Sequence, residues 1–146
     1  MRRDPSLIPL SHQHHNGLAL CVMTRRSLEA DSSTANVAAQ ARRVIDRFEV
    51  ELTNHFAIEE QVLFPACGTL ELIGRLVGEH RKIEELVSRL RAAPSPAVLE
   101  EFCELLSTHI RLEEKELFEW IQREVNRADL DRLGTEIDAR AVRICL

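Results

Sequence analysis

Two stretches of the chain repeat one spacing of residues able to hold a metal ion. His55-Phe-Ala-Ile-Glu59 and His109-Ile-Arg-Leu-Glu113 each place a carboxylate four residues after an imidazole. On a helix, i and i+4 lie on the same side about one turn apart, so each stretch offers one nitrogen and one oxygen donor to the same point. The flanks repeat too: HFAIEEQVLFP and HIRLEEKELFEW both read His-x-x-x-Glu-Glu-x-x-Leu-Phe. Upstream of each stands a further histidine, His15 and His80, followed three residues later by the apolar Leu18 and Ile83. The repeating unit is thus a helix carrying one His, then a helix carrying His-x-x-x-Glu.

The elements that must position these residues are helices. Glycine and proline number five each in 146 residues, and no stretch alternates with period two as a strand would. Pro5 and Pro9 followed by Ser11 read as a lead-in and N-cap for a first helix, from about Ser11 to Ala30. Apolar residues from Val37 to Phe64, mostly three and four apart, give a second from about Thr34 to Phe64, stopped by Pro65. A third runs from about Leu70 to Ala92. Pro94-Ser95-Pro96 then restarts the chain into a fourth that ends near Asn126. The tail that follows, with Leu130, Leu133, Ile137 and Val142 on one face, predicts a short fifth helix. Four amphipathic helices with short connections predict an all-α, up-down-up-down four-helix bundle over about residues 10–126, with a C-terminal tail at 127–146, all one domain.

Heights along such a bundle test the histidine pattern. At about 1.5 Å of rise per residue, the start of helices one and three lies beside the end of helices two and four. His15, His80, His55 and His109 then share one layer, together with Glu59 and Glu113. Buried carboxylates are costly unless paired or bound to a metal, so such a layer calls for a cation. Nitrogen and oxygen donors without thiolate suit iron, manganese or zinc. Six donors exceed what one tetrahedral zinc needs and fit two ions bridged by carboxylates.

With these residues in view, the sequence resembles the hemerythrin-like, or HHE cation-binding, domain family over about Leu10 to Arg123. The likeness rests on Leu-Ser-His-Gln-His-His-Asn-Gly-Leu, HFAIEEQVLFP, Glu79-His80 and HIRLEE. It implies a four-helix bundle holding two non-haem iron ions, oxo- or carboxylate-bridged, with zinc or manganese fitting less well. It implies a ligand such as dioxygen, another diatomic or a peroxide. By the same resemblance His55 and His109 are terminal ligands, Glu59 and Glu113 the bridging carboxylates, and His80 the ligand of helix three. His15 is preferred on helix one, for its apolar residue at +3, with His14 the rival. Oxygen-carrying members place a second histidine four residues after the helix-three ligand, where this chain has Glu84, either a further ligand or a surface residue. That change favours sensing or redox chemistry. The implied role is a protein that binds or senses dioxygen or a related ligand; the alternatives are a redox enzyme acting on peroxide or nitric oxide, and an iron-responsive or iron-repair protein.

Other residues have plainer readings. Glu60 and Glu114, at i+5, turn away from the histidine face and read as solvated; Glu51, one turn before His55, reads as a surface ion pair, the alternative being a hydrogen bond to an imidazole N–H. His12 reads as outer or exposed, Trp120 as packing. Cys21 and Cys103 read as small core hydrophobes, and Cys145 as the candidate for an intermolecular disulfide. A homodimer is compatible with this. The net charge of −5 without a long basic run argues against nucleic acid. The longest apolar run, Leu18 to Met23, is far too short for a membrane span, and the dispersed cysteines suggest a reduced, cytoplasmic setting. There is no Glu-x-x-His of the ferritin-like type, no HExxH and no phosphate-binding glycine motif.

Overall fold

The structure is a computed structural model that describes residues 2–144, and its regular elements are all helical. After a tight turn at Pro5–Leu7, α1 spans Ile8–Ala30. The second helix, α2, is a continuous run from Thr34 that ends in a tightened turn at Phe64–Cys67. Then come α3, Leu72–Ala92, and α4, which starts at Pro96 and continues to Glu124. A fifth helix, α5, spans Arg127–Arg140. No described helix is long and apolar enough to cross a membrane.

Local chemistry explains most boundaries. The side chains of Ser33, Ser95 and Asn126 accept hydrogen bonds from the backbone N–H groups of Asn36, Val98 and Asp129, capping α2, α4 and α5. Gly68, at φ 61°, supplies the left-handed residue that turns the chain out of α2. The first boundary differs from expectation. Asp4 caps the opening turn by accepting from Ser6 N, while Ser11 lies inside α1 and donates instead to Glu114 Oε2 at 2.8 Å. Pro5 and Pro9 sit in first turns, where no N–H is required, so they begin the helix rather than precede it. At the other end, Val142 lies beyond α5 and not on its apolar face. Its N–H donates to Asn54 Oδ1 (3.0 Å) and its carbonyl accepts from Gln13 Nε2 (3.1 Å), so the segment after α5 lies against α1 and α2. Cys145 lies outside the described residues.

Helices α1 and α4, α3 and α4, α1 and α2, and α2 and α3 pack against each other in a closed ring. The apolar interior is divided. One cluster gathers residues such as Leu20, Val44, Phe48, Leu86, Leu99 and Phe102. The other gathers Leu10, Leu63, Leu76, Phe118 and Ile121 with Leu130 and Ile137 of α5. Between them, in sequence and in space, fall the buried histidines and glutamates.

Helix α5 packs against the opening turn at Gly134. A Cβ there would come within 2.8 Å of Ser6 Cβ and 2.9 Å of its Cα, whereas at Gly78, exposed on α3, it would meet nothing within 4 Å. Gly134→Ala is therefore expected to cost about 1–3 kcal/mol, and Gly78→Ala to gain about 0.5–1 kcal/mol. Urea denaturation of both variants checks the pair, and a Gly134→Ala midpoint at or above wild type would contradict the packing.

Candidate metal centre

Three turns of the two long helices are widened to i→i+5 hydrogen bonding, and two begin at the paired carboxylates. Phe64 N donates to Glu59 O, and Phe118 N donates to Glu113 O, closing the turns Glu59–Leu63 and Glu113–Leu117. The sequence repeat is thus a backbone repeat as well. A widened turn lengthens the arc between successive inward positions, so neighbouring glutamates on it can both reach partners inside the fold. The third, Phe48–Leu52, lies just before His55.

Six side chains converge in the layer between the apolar clusters. His14, His55, Glu59 and Glu113 form one group of four donors within 4.8 Å of one another, and Glu59, His80, His109 and Glu113 form a second. The groups share both carboxylates. All six residues are buried, with Glu59, Glu113 and His80 at 0% exposure. Each imidazole turns Nε2 toward a carboxylate: His14 lies 2.9 Å and His109 3.4 Å from Glu113 Oε1, while His80 lies 3.1 Å and His55 3.3 Å from Glu59 Oε1. Phe56 stacks on His80 with ring centroids 3.9 Å apart, and Phe118 stacks on His14 at 5.3 Å.

The opposite ring nitrogen of every histidine is held from outside the layer. Nδ1 donates to Glu114 Oε2 from His14 (2.5 Å), to Gln13 Oε1 from His55 (2.8 Å), to Glu60 Oε2 from His80 (2.7 Å) and to Glu79 Oε1 from His109 (2.7 Å). This fixes ring orientation and leaves Nε2 as the inward donor atom, the arrangement that metal-binding histidines use. The holders are themselves held. Ser11 and Arg3 bond Glu114, Arg81 pairs with Glu60, and Gln13 is anchored by Asn54 Oδ1 (3.0 Å) and the Val142 carbonyl.

Charge in the layer is balanced by protons. Burial, then the charge of Glu113, pushes the Glu59 carboxyl well above the usual range. Burial acts on Glu113 in the same direction but is outweighed by the hydrogen bond from Glu59 and by His109, so Glu113 is the ionised member. Burial disfavours charge on His14, yet its bonds to Glu113 and Glu114 raise it to about 9. Burial, then the charge of neighbouring imidazoles, lowers His55 to about 4 and His80 to about 3. Four inward atoms remain without hydrogen-bond partners: His55 Nε2, His109 Nε2, Glu59 Oε2 and Glu113 Oε2. Buried polar atoms are seldom left so. Two imidazole lone pairs and two carboxylate oxygens are the donor set of a cation site, so the residues fit a metal ion.

Two residues expected near the site stand elsewhere. His15 is exposed; His14, one position earlier, faces the layer. The inward residue three beyond His14 is Gly17, packed against Ile110 and Leu106, so it has no apolar side chain for a pattern to register. Glu84 is part-exposed and pairs with Arg81 at 3.0 Å, outside both donor groups. Glu60 and Glu114 are not simply solvated: the widened turns let them bond His80 and His14. Glu51 does form an ion pair, with Arg47 at 3.9 Å, but is buried rather than on the surface and also accepts from Asn16 Nδ2 at 2.8 Å. Gln13 and the role of Glu79 had no signal in the sequence beyond lying beside a histidine.

The chain matches the family model of the hemerythrin HHE cation-binding domain over residues 8–135. It belongs to that family. No curated protein and no solved structure matches it. Freeing His109 Nδ1 by Glu79→Ala should weaken binding of a divalent metal about 10–100-fold, read by competition with a chromophoric chelator. Glu84→Ala should leave it unchanged; equal effects of the two would contradict the assignment.

Proposed function

We propose that the chain holds two non-haem iron ions between its donor groups and binds or senses dioxygen or a related small ligand. The observation that carries this reading is the sharing of Glu59 and Glu113 by two groups of four donors. A pair of carboxylates common to two imidazole pairs suits two ions side by side better than one ion. We read the closed ring of helix contacts as the up-down-up-down four-helix arrangement of one domain. Zinc or manganese would satisfy the same atoms less specifically.

In this proposal His14 and His55 would hold one ion and His80 and His109 the other, with Glu59 and Glu113 available to both donor groups. Iron, when bound, supplies one-electron redox change and coordination positions open to a small ligand. The protein's part is to hold the imidazoles by Nδ1, to keep water away by burying all six donors, and to release the protons of Glu59 and His14 as metal enters. Uptake should therefore weaken as pH falls. Glu84, outside the groups, adds no donor, so the layer has fewer imidazoles than the oxygen-carrying proteins it resembles. This favours sensing, or redox turnover of peroxide or nitric oxide, over carriage. Cys21, Cys67 and Cys103 are free thiols, which fits a reduced cytoplasmic setting.

Metal analysis after iron loading should give two irons per chain, matching the two donor groups, with near-ultraviolet and visible charge-transfer absorption. One zinc per chain with no such absorption would contradict the proposal. His14→Ala and His55→Ala should each abolish full loading, while His15→Ala should not. A reversible spectral change under oxygen supports binding or sensing; sustained consumption of peroxide or nitric oxide supports the enzyme.

A further inference from the structure

The four histidines of the layer are not held alike. Behind His14, His80 and His109 stand carboxylates. An ionised carboxylate accepts hydrogen bonds and never donates one, so the holder itself calls for a proton on Nδ1. Behind His55 stands Gln13, at 1% exposure, whose carboxamide has an accepting end and a donating end of nearly the same shape. Turned one way, the amide takes the proton of Nδ1. Turned the other, it gives an N–H to Nδ1 and leaves the ring proton on Nε2, the inward atom. A neutral imidazole carries one ring proton only, so the orientation of this amide decides whether His55 offers a lone pair to the layer.

That orientation is set by main-chain atoms whose roles have no alternative. The Val142 N–H can only donate, and it lies 3.0 Å from one polar atom of the Asn54 side chain; the Arg140 carbonyl can only accept, and it lies 3.0 Å from the other. Asn54 therefore turns Oδ1 to Val142 and Nδ2 to Arg140. Its Oδ1 and the Val142 carbonyl both face the same end of Gln13, at 3.0 and 3.1 Å, and two acceptors can meet only an NH2 group. Gln13 Oε1 is left for His55 Nδ1, at 2.8 Å, and the ring proton belongs on Nδ1. A third amide joins in, since Asn16 Nδ2 donates to the Ile144 carbonyl at 3.3 Å and to Glu51 Oε2 at 2.8 Å. Carboxamides of α1 and α2 thus hold the backbone from Arg140 to Ile144. No side chain of that segment is fully buried, so its place depends chiefly on these bonds.

We propose that the segment after α5 sets the tautomer of His55 through Asn54 and Gln13, and so decides whether the His14–His55 donor group is ready for a metal ion. Asn54 and Gln13 are then positioning residues. Docking of the segment and occupancy of that donor group favour each other by the same factor, as linkage requires. The tautomer itself needs no metal; its consequence for metal uptake rests on the layer being a metal centre. The fifth helix gains a role in this account, since it carries the chain back across α1 and α2 to the one histidine whose holder cannot fix its proton unaided.

The test begins on the metal-free full chain with isotope-labelled histidine nitrogens. Long-range proton–nitrogen NMR distinguishes a protonated ring nitrogen from one with a lone pair, and His55 is expected in the Nδ1–H form. Val142→Pro removes the donor to Asn54 and puts a ring carbon in its place, after an Ala141 whose φ −67° and ψ 124° already suit a following proline. In that variant the Nε2–H form of His55 should appear, while the signals of His14, His80 and His109, held by carboxylates, stay as they are. Zinc binding, read by competition with a chromophoric chelator, should weaken about 10-fold. Adding Gln13→Glu to Val142→Pro supplies an acceptor that needs no orienting, so the Nδ1–H form and the zinc affinity should both return. The proposal is overturned if wild-type His55 carries its proton on Nε2, or if Val142→Pro leaves the tautomer unchanged or alters all four rings alike. It is equally overturned if the double variant does not restore Nδ1–H, or if zinc affinity holds while the tautomer shifts. A chain that takes up no metal yet shows every tautomer response would count against the metal centre and not against the tautomer control.

Discussion

Glu59 and Glu113 are buried side by side, completely out of water, and the rest of the interior is arranged around that cost. Ionised carboxylates moved from water into protein lose several kcal/mol of solvation each, and two like charges in contact add repulsion. The layer meets this with a Glu59 carboxyl held well above the usual range, a raised His14 and four imidazole nitrogens turned inward. Protons are a partial answer, since four inward donor atoms still lack hydrogen-bond partners. A pair of divalent cations would satisfy all of them.

That central demand explains features that otherwise look unrelated. The helices widen by one residue at each critical glutamate, which brings two successive carboxylates per repeat to useful positions: Glu59 and Glu113 toward the centre, Glu60 and Glu114 behind His80 and His14. Both apolar clusters border the polar layer and hold it dry. The ends of the chain join in as well. Arg3 bonds Glu114, and the segment after α5 bonds Gln13, the residue that holds His55. His55 differs from the other three histidines in that its holder is an uncharged amide.

Much of this was legible in the sequence. The i, i+4 pairs of His55 with Glu59 and His109 with Glu113, repeated with their flanks, identify the two donor helices, and Pro94-Ser95-Pro96 marks the start of α4. The helix-one donor was harder to choose, because Gly17 leaves no apolar mark three residues after His14, while Leu18 leaves a misleading one after His15. Glu60 and Glu114 were missed for a different reason. A regular helix carries i+5 away from the histidine face, and nothing in the residue types announces a widened turn. The hydrogen bond from the Cys103 thiol to the Cys21 carbonyl joins two helices eighty residues apart, which no local pattern encodes.

X-ray absorption fine structure on the iron-loaded protein tests the two-ion layer most directly. Two ions spanned by Glu59 and Glu113 predict imidazole scattering around iron together with a short iron–iron path, both lost in Glu59→Ala. Iron in imidazole and oxygen coordination with no iron–iron path at full loading would contradict a shared, carboxylate-bridged pair.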